Sequence, residues 1–226
     1  MNIFEIQQIS LPIKDTENQF PVNRIYCIGR NYAEHTKEMG GDYKRESPFY
    51  FIKSTDTLLV HGGEVKYPSK TNNLHHEVEL VIAIDKPGKD ILKENALNHV
   101  FGYAVGIDLT RRDLQAEAKK SGRPWDTGKT FRHAAPITAI QPATKIGHPS
   151  KGSIHLKVND SMRQIGNINE MIWSIPEAIA NLSTYFELAA GDLLFTGTPA
   201  GVGEIHPGDN IIGVIEGVGS IEINII

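Results

Sequence analysis

Two apolar segments that carry acidic residues at one end constrain the fold of this chain more than any other feature. Residues 77–84, EVELVIAI, begin with strict polar and apolar alternation and become wholly apolar, which predicts a strand with one end at a cavity and the other in the core. Residues 100–108, VFGYAVGID, predict a second buried strand that ends in a carboxylate. Because residues two apart on a strand share a face, Glu77 and Glu79 should point to the same side.

The carboxylates at these ends are candidate ligands of a hard divalent cation. Glu77 and Glu79 repel each other, and beside apolar residues the repulsion is costly unless a cation neutralises it. Asp108 is the natural third ligand, because an unpaired charge at the end of an apolar strand is hard to accommodate. An oxygen-only set favours Mg²⁺, Mn²⁺ or Ca²⁺ and leaves about three octahedral positions of Mg²⁺ for water or a bidentate substrate. The alternative is an exposed acidic face on an edge strand.

Histidines raise zinc as a rival to this interpretation. The chain has nine of them but no HExxH motif, and His75 and His76 on a strand would face opposite sides, so at most one could reach the ion. His35 is different, because Glu38 follows three residues later and the two would share one helix face. The carboxylate could then orient the imidazole and raise its basicity. An exposed pair without function is the alternative.

The rest of the chain predicts a mixed but mostly β domain of the α+β class. Two further strands are predicted at residues 24–29 and 48–53. Helices are predicted at residues 31–39, at 109–120 with Thr110 as N-cap, and at 174–185. The loops at residues 29–32 and 197–201 have neither P-loop nor dinucleotide-site spacing and are interpreted as turns.

Composition excludes several classes of protein. A formal net charge of −4, with Lys and Arg scattered along the chain, provides no basic stripe for nucleic acid. The first twenty residues do not form a signal peptide, and no segment approaches the roughly 18 apolar residues of a membrane span, so we expect neither export nor a membrane partner. Cys27 is the single cysteine and cannot form an internal disulfide, which favours a cytoplasmic location.

Five segments resemble the fumarylacetoacetate hydrolase family in their order and spacing: IGRNYAEH, HHEVELVIAI, GYAVGIDLTRRDLQ, WDTGKTF and LLFTGTPAGVG. The resemblance extends from about Arg24 to the C-terminus and is closest to the short, single-domain branch of acylpyruvate hydrolases and oxaloacetate decarboxylases. It implies a mixed β-roll with a few short helices, in which residues 24–226 form one catalytic domain and residues 1–23 an N-terminal arm packed on it. It also implies a homodimer.

The resemblance further implies roles for individual residues. Glu77, Glu79 and Asp108 match the ligands of a divalent ion, Mg²⁺ or Mn²⁺. His35 and Glu38 match a catalytic dyad on a segment that orders over bound substrate. Other residues match positions that contact the substrate or neutralise its charge: Lys53, Arg112, Gln115, Lys129 and Thr198.

The implied activity is cleavage of a carbon–carbon bond in a small 2-oxo acid. An acylpyruvate of the acetylpyruvate or fumarylpyruvate type would be hydrolysed to pyruvate and a carboxylic acid, and oxaloacetate would lose CO₂ to form the same enolate. One alternative is an isomerase or decarboxylase of 2-hydroxy-dienedioates from aromatic catabolism. An alternative of another class is a non-catalytic binding module with a structural ion.

Overall fold

Strands account for most of the regular structure in the computed structural model, which describes residues 3–5, 7–38 and 46–226. The strands in these ranges are β1 (Ser10–Pro12), β2 (Gln19–Pro21), β3 (Ile25–Gly29), β4 (Phe49–Lys53), β5 (Leu58–Val60), β6 (Gly63–Val65), β7 (Leu74–His76), β8 (Val78–Ile84), β9 (Val100–Ile107), β10 (Thr110–Arg111), β11 (Ala135–Ile137), β12 (Gln141–Pro142), β13 (Ser153–Val158), β14 (Ser161–Asn167), β15 (Leu193–Phe195), β16 (Gly203–Ile205), β17 (Asn210–Ile215) and β18 (Gly219–Ile225).

The helices are short and lie between strands. The α-helices are α1 (Ala33–Glu38), α2 (Arg112–Ser121), α3 (Asp126–Lys129), α4 (Ala143–Ile146) and α5 (Ile175–Tyr185). Single 3₁₀ segments are Thr55–Thr57, Lys93–His99 and Ile168–Glu170. The expected α+β class with a mostly β content is therefore confirmed. None of the helices in the described ranges has the length and apolarity needed to cross a bilayer.

The large sheet of the fold is mixed. Its order is β4-β3-β15-β8-β9-β11-β5, and β12 pairs with β9 beside this path. Strands β3 and β15 run parallel, whereas β8 and β9 are antiparallel. A five-stranded sheet, β14-β13-β17-β18-β6, packs through β13, β17 and β18 against β8 and β9. This packing of the two large sheets, one of them mixed, confirms the predicted β-roll.

Strand β8 lies between the two hydrophobic cores, which explains its unbroken apolar sequence. Leu80, Ile82 and Ile84 point into the core shared with the five-stranded sheet. Val81 and Ala83 point to the other face, into a second core. Because side chains alternate along a strand, Glu79 belongs to the same face as Val81 but lies at the open end of that face.

Gly106 of β9 is placed directly opposite Glu79 in the strand register. A Cβ atom at Gly106 would lie 2.5 Å from the ring of Phe195 and 2.7 Å from Val81. The absence of a side chain therefore lets Phe195 pack over β9 beside the position of Glu79.

The N-terminal residues contribute to the second core. Strands β1 and β2 form an antiparallel pair in which Leu11 faces Phe20. Both side chains, together with Val22, are buried in the cluster that also contains Val81 and Phe195. This face of the large sheet is therefore covered by residues that precede β3.

Three details of the predicted elements differ from the structure. Thr110 is not the N-cap of α2, because it lies in β10, and Arg111 occupies the capping position. Glu77 lies between β7 and β8 rather than inside one continuous strand. The predicted helix at residues 31–39 begins at Ala33, and residue 39 lies outside the described residues.

Candidate metal centre

Antiparallel pairing of β8 with β9 brings the three predicted carboxylates together. The start of β8 pairs with the end of β9, in the register Val78 with Ile107, so Glu77 and Glu79 meet Asp108. The backbone N–H of Asp108 donates to the carbonyl of Glu77 at 2.8 Å. One oxygen of each carboxylate lies within 4.8 Å of the others, and the three residues are 5%, 2% and 0% exposed. The alternative of an exposed acidic edge is therefore wrong.

Three cationic side chains surround the three carboxylates. Arg112 NH2 donates to Glu77 Oε1, and Lys129 Nζ lies 2.8 Å from Glu77 Oε2. Lys129 Nζ also lies 2.6 Å from Asp108 Oδ2, and Lys53 Nζ lies 2.8 Å from Asp108 Oδ1. The buried charge of Glu77 and Asp108 is thus matched at both oxygens of each carboxylate, as burial of an ionised group requires.

Glu79 has a different environment from its two neighbours. Its Oε2 accepts the backbone N–H of Gly197 at 2.7 Å, and no described cation forms an ion pair with it. Burial, and then the charges of Asp108 and Glu77, raise the pKa of Glu79 well above its usual value. Burial opposes ionisation of Glu77 as well, but Lys129 and Arg112 overcome it and lower the pKa of that carboxyl.

A divalent cation fits this arrangement. Bound to one Mg²⁺ at 2.0–2.1 Å, two ligand oxygens are at most about 4.2 Å apart, so oxygens within 4.8 Å need only small shifts to share one ion. Asp108 Oδ1 is buried and accepts no hydrogen bond in the described structure, although Lys53 is near. A bound cation would contact this oxygen directly and would offset the burial and the carboxylate charges that raise the pKa of Glu79. The donor set consists of carboxylate oxygens, which suit Mg²⁺ or Mn²⁺.

Lys53 lies beneath the site and does not line the cleft above it. Its ammonium group donates to the carbonyls of Leu109 at 3.3 Å, Ala134 at 3.1 Å and Lys129. Since these bonds use its three hydrogens, its proximity to Asp108 is a charge interaction alone. The resemblance implied a substrate contact for Lys53; in the structure this side chain is buried, 1% exposed, and lies against Asp108.

Lys129 and Arg112 reach the site from the segment after β9. Lys129 also donates to Thr110 Oγ1 at 2.7 Å, so its three hydrogens are all engaged. Burial lowers the pKa of Lys129, but the charges of Asp108 and Glu77 outweigh it and raise the pKa. Arg112 NH1 donates to Gln115 Oε1 at 2.7 Å, which leaves the amide nitrogen of Gln115 as the donor available to a ligand.

His35 and Glu38 form the predicted pair on α1. The distance between His35 Nδ1 and Glu38 Oε2 is 3.3 Å; a carboxylate only accepts, so Nδ1 carries the proton in this contact and Nε2 is the unprotonated nitrogen of the neutral ring. Burial lowers the pKa of His35, although the charges of Glu77 and Glu38 oppose the shift. The imidazole, which lines the same cleft as the carboxylates, is thereby kept neutral.

One loop holds both a carboxylate of the triad and a carboxylate of the dyad. Gly197 donates its N–H to Glu79, and Gly201 donates its N–H to Glu38 Oε1 and Oε2 at 3.2 and 3.1 Å. Both glycines have positive φ, +88° and +93°, a conformation that side chains disfavour. The sequence interpretation of residues 197–201 as a simple turn missed this role, for which the paired glycines were the available signal.

Thr198, between these glycines, is held by a buried network. Its hydroxyl donates to the carbonyl of Val78 at 2.7 Å and accepts from Gln164 Nε2 at 2.7 Å. Gln164 Oε1 in turn lies 3.0 Å from His76 Nδ1 and accepts the N–H of Val78 at 3.1 Å. The sequence did not single out Gln164, since a lone glutamine on an edge strand carries no local signal.

The zinc alternative has no support in the geometry. His76 is fully buried and hydrogen-bonded to Gln164. Among the described residues, the group that could hold a metal ion consists of the three carboxylates and includes no histidine. Burial, followed by the charge of Arg112, lowers the pKa of His75 to about 4, but His75 does not line the cleft. Neither histidine joins the ligand set.

The site opens into a cleft of about 440 Å³, which includes the solvent at its mouth. The cleft lies between β3, the segment around Lys129 and the loop of Gly197. Its lining residues are Ile28, Gly29, Arg30, His35, Phe51, Glu77, Glu79, Asp108, Arg112, Gln115, Lys119, Trp125, Lys129, Gly197 and Thr198.

Substitution of the two glycines should separate their roles. In Gly197→Ala the new Cβ would lie 2.9 Å from Asn31 Cβ in a left-handed backbone, so the N–H bond to Glu79 is displaced. We expect Mn²⁺ affinity, measured by calorimetry, to fall by about tenfold, as for other residues that orient ligands. Gly201→Ala, whose Cβ would lie 2.0 Å from the carbonyl of Arg163, disturbs Glu38 and should leave Mn²⁺ affinity within about twofold. Equal weakening of Mn²⁺ binding in the two variants, both shown by thermal melting to be folded, would contradict this division of roles between the two glycines.

Metal affinity should increase with pH. A proton and a cation compete for Glu79, and because its pKa is raised, the ionised fraction grows as the pH rises through that raised value. In the metal-free protein the stability contributed by Glu79 is fully present below the ordinary glutamate pKa and is lost as the pH rises through the raised pKa. Calorimetry in two buffers of different ionisation enthalpy should detect proton release on Mn²⁺ binding at mildly acidic pH. Glu79→Gln is the control and should show no proton release. If the wild type also released no proton on binding Mn²⁺, this linkage would be excluded.

Comparison with known proteins places these features in one family. The fumarylacetoacetate hydrolase C-terminal family model matches residues 24–226. The crystal structure of fumarylpyruvate hydrolase from Pseudomonas aeruginosa, in complex with Mn²⁺ and pyruvate, is 46% identical with a TM-score of 0.98 and covers 100% of this chain and 99% of its own.

Curated relatives agree with the structural comparison. A fumarylpyruvate hydrolase of Ralstonia sp is 45% identical over 184 residues, 81% of this chain and 95% of the relative. The mitochondrial oxaloacetate tautomerase of Mus musculus is 42% identical over 201 residues, 89% of this chain and 90% of the relative. With its mixed β-roll and its buried acidic triad, the chain belongs to the fumarylacetoacetate hydrolase family.

Proposed function

We propose that this protein is a divalent-metal-dependent enzyme that hydrolyses the C3–C4 bond of an acylpyruvate, of the acetylpyruvate or fumarylpyruvate type, to pyruvate and a carboxylic acid. The observation that carries the proposal is the buried set Glu77, Glu79 and Asp108, which lines one cleft together with His35. The two relatives known as fumarylpyruvate hydrolases, one of them a complex with Mn²⁺ and pyruvate, support it.

The acidic triad would bind Mg²⁺ or Mn²⁺, and the ion when bound would neutralise the carboxylate and 2-keto oxygens of the substrate and the enolate charge that develops there. Arg112 and Gln115 lie beside the triad on α2 and would hold the substrate carboxylate. The bond from Arg112 to Gln115 orients the amide nitrogen before the substrate arrives, which reduces the entropy lost on binding.

His35 would act as the general base. A water molecule adds its oxygen to C4 of the substrate and passes a proton to His35 Nε2. The C3–C4 bond then breaks, its electron pair remains on the pyruvate fragment as the enolate, and the imidazolium returns the proton to C3. Glu38 would stabilise the imidazolium through Nδ1, since the two atoms are 3.3 Å apart.

The existing contacts of Lys129, Lys53 and Thr198 limit how each side chain could contact the substrate. Lys129 neutralises Glu77 and Asp108 with all three hydrogens engaged, so direct contact with the substrate requires exchange of one bond. Lys53 would position Asp108 from below. The hydroxyl hydrogen of Thr198 is directed at Val78, and it must rotate before it can donate to a substrate carboxylate.

Oxaloacetate is a second candidate substrate, because the mouse relative is an oxaloacetate tautomerase. Loss of CO₂ from oxaloacetate gives the enolate of pyruvate without addition of water, and tautomerisation needs only the transfer of a proton between C3 and the 2-oxygen. Both reactions would use the triad, whereas hydrolysis alone needs a base to activate water.

A parallel assay tests the proposed function. Metal-stripped protein should be inactive, and Mg²⁺ or Mn²⁺ should restore turnover of acetylpyruvate or fumarylpyruvate. Glu79→Ala should abolish metal-dependent turnover, because it removes a ligand of the triad. His35→Ala should reduce hydrolysis about 10²- to 10⁴-fold and oxaloacetate decarboxylation by much less. Formation of pyruvate, coupled to lactate dehydrogenase, measures both reactions.

His206→Ala provides the matched control for His35, since His206 is exposed and outside the cleft. Equal losses in hydrolysis and decarboxylation for His35→Ala would refute the division of roles. Turnover of 2-hydroxy-dienedioates alone would favour the isomerase or decarboxylase alternative, and no turnover of any of these acids would favour a structural ion.

We also propose that the protein is a cytoplasmic homodimer. In each chain, residues 24–226 form a single catalytic domain and residues 1–23 form an arm packed on it. Burial of Leu11 and Phe20 supports the arm, and the exposed apolar side chains of Met162 and Ile165 on β14 support a partner surface. The single, buried Cys27 is compatible with a reducing compartment. Light scattering should give twice the chain mass, and a monomer at micromolar concentration would exclude the dimer.

A further inference from the structure

Asn31 joins three segments of the fold next to the metal centre. It lies in the loop between β3 and α1, the helix that carries His35, and it is fully buried. Its backbone carbonyl accepts the N–H of Ile172 at 2.7 Å, and its side chain is bonded to Trp173 and Thr196. A buried carboxamide with partners on two distant segments fixes how those segments lie relative to each other.

The orientation of this carboxamide is determined by Trp173. Asn31 Oδ1 accepts the backbone N–H of Trp173 at 2.7 Å, and Asn31 Nδ2 donates to the carbonyl of the same residue at 3.0 Å. The other hydrogen of Nδ2 is donated to the carbonyl of Thr196 at 2.8 Å. A rotated amide would place Oδ1 against two carbonyl oxygens, so the network admits one orientation, in which both Nδ2 hydrogens are used.

The carbonyl of Thr196 and the N–H of Gly197 belong to one peptide unit. That N–H donates to Glu79 Oε2 at 2.7 Å, whereas the carbonyl accepts from Asn31 Nδ2. In a planar trans peptide the two groups point in opposite directions, so a bond that holds the carbonyl also directs the N–H. Asn31 and Glu79 are therefore hydrogen-bonded to opposite sides of the same peptide plane.

The local backbone does not fix this peptide plane by itself. On one side Thr196 is restrained, because its N–H and its hydroxyl both donate to the carbonyl of Leu80, at 3.0 and 2.8 Å. On the other side Gly197 has a φ of +88° and no side chain, so rotation of the plane meets little steric resistance. The hydrogen bond from Asn31 supplies the restraint that glycine does not.

We propose that Asn31 is a positioning residue of the metal centre, which orients Glu79 for the cation through the peptide between Thr196 and Gly197. Its side chain is outside the cleft lining and is used by backbone groups, so it acts through that peptide and not on the ion. The inference rests on the metal site of the proposed function. Removal of a group that orients a metal ligand typically weakens metal binding about 10- to 100-fold.

Mn²⁺ affinity in two variants of Asn31 tests the proposal. Asn31→Ala retains the Cβ atom and removes the carboxamide, and Asn31→Leu fills a similar volume without a donor. Calorimetry should show Mn²⁺ binding weakened by about tenfold in both variants, with thermal melting as the check that each is folded. Unchanged Mn²⁺ affinity in either folded variant would overturn the proposal.

Ser183→Ala is the matched control for the loss of a buried polar group. Ser183 is fully buried on α5, its hydroxyl accepts the N–H of Ile91 at 2.8 Å and donates to the carbonyl of Ala180 at 2.7 Å, and it does not line the cleft. The substitution should lower the melting temperature and leave Mn²⁺ affinity within about twofold. A tenfold loss of affinity in this variant as well would attribute the effect to general destabilisation and refute the proposal.

A double-mutant cycle with Gly197→Ala tests the route through the peptide. Gly197→Ala displaces the N–H from Glu79, and the Asn31 Cβ that the new methyl group would meet at 2.9 Å is still present in Asn31→Ala. Because both changes act on one peptide, the double variant should bind Mn²⁺ within about twofold of the weaker single variant. Losses that multiply to about 100-fold would mean independent effects and would contradict the route.

Amide hydrogen exchange in the metal-free protein provides a measurement that needs neither the ion nor turnover. The Gly197 N–H should exchange faster in Asn31→Ala, while the Thr196 N–H, bonded to Leu80, should keep its protection. Equal acceleration at both amides would indicate loosening of the whole loop and count against the proposal.

Failure of this inference is distinguishable from failure of the proposed function. Hydrolysis of acylpyruvates by the wild type, together with unchanged Mn²⁺ affinity in Asn31→Ala, would refute the role of Asn31 alone. Mn²⁺ affinity that depends on Asn31, in a wild type that hydrolyses no acylpyruvate, would refute the proposed function alone.

Discussion

Burial of three carboxylates at one end of two core strands is the constraint on which the rest of the site depends. An ionised carboxylate in such surroundings needs a partner, and Arg112, Lys129 and Lys53 supply partners for Glu77 and Asp108. These cations come from separate segments, which therefore have to fold against β8 and β9. Glu79 accepts one backbone N–H, and its pKa is raised. A divalent ion would stabilise its ionised form.

The loop after β15 connects the two chemical parts of the cleft. Its left-handed glycines direct Gly197 N–H at Glu79 and Gly201 N–H at Glu38, so one backbone segment orients a candidate metal ligand and the carboxylate that supports His35. Backbone donors have little freedom to move once the loop is packed. This coupling explains why the segment has glycine at two positions with positive φ.

The apolar periodicity of the sequence determined strands β8 and β9, their burial and the convergence of Glu77, Glu79 and Asp108, because a strand buried on both faces imposes its pattern locally. Tertiary structure decided what each polar group contacts. It placed Thr110 in a strand instead of a cap, committed Lys53 to three carbonyls, and brought Gln164 and the glycine loop to the site from distant positions in the chain. Hydrogen-bond partners far apart in sequence leave no local pattern, because their meeting depends on the packing of the whole fold.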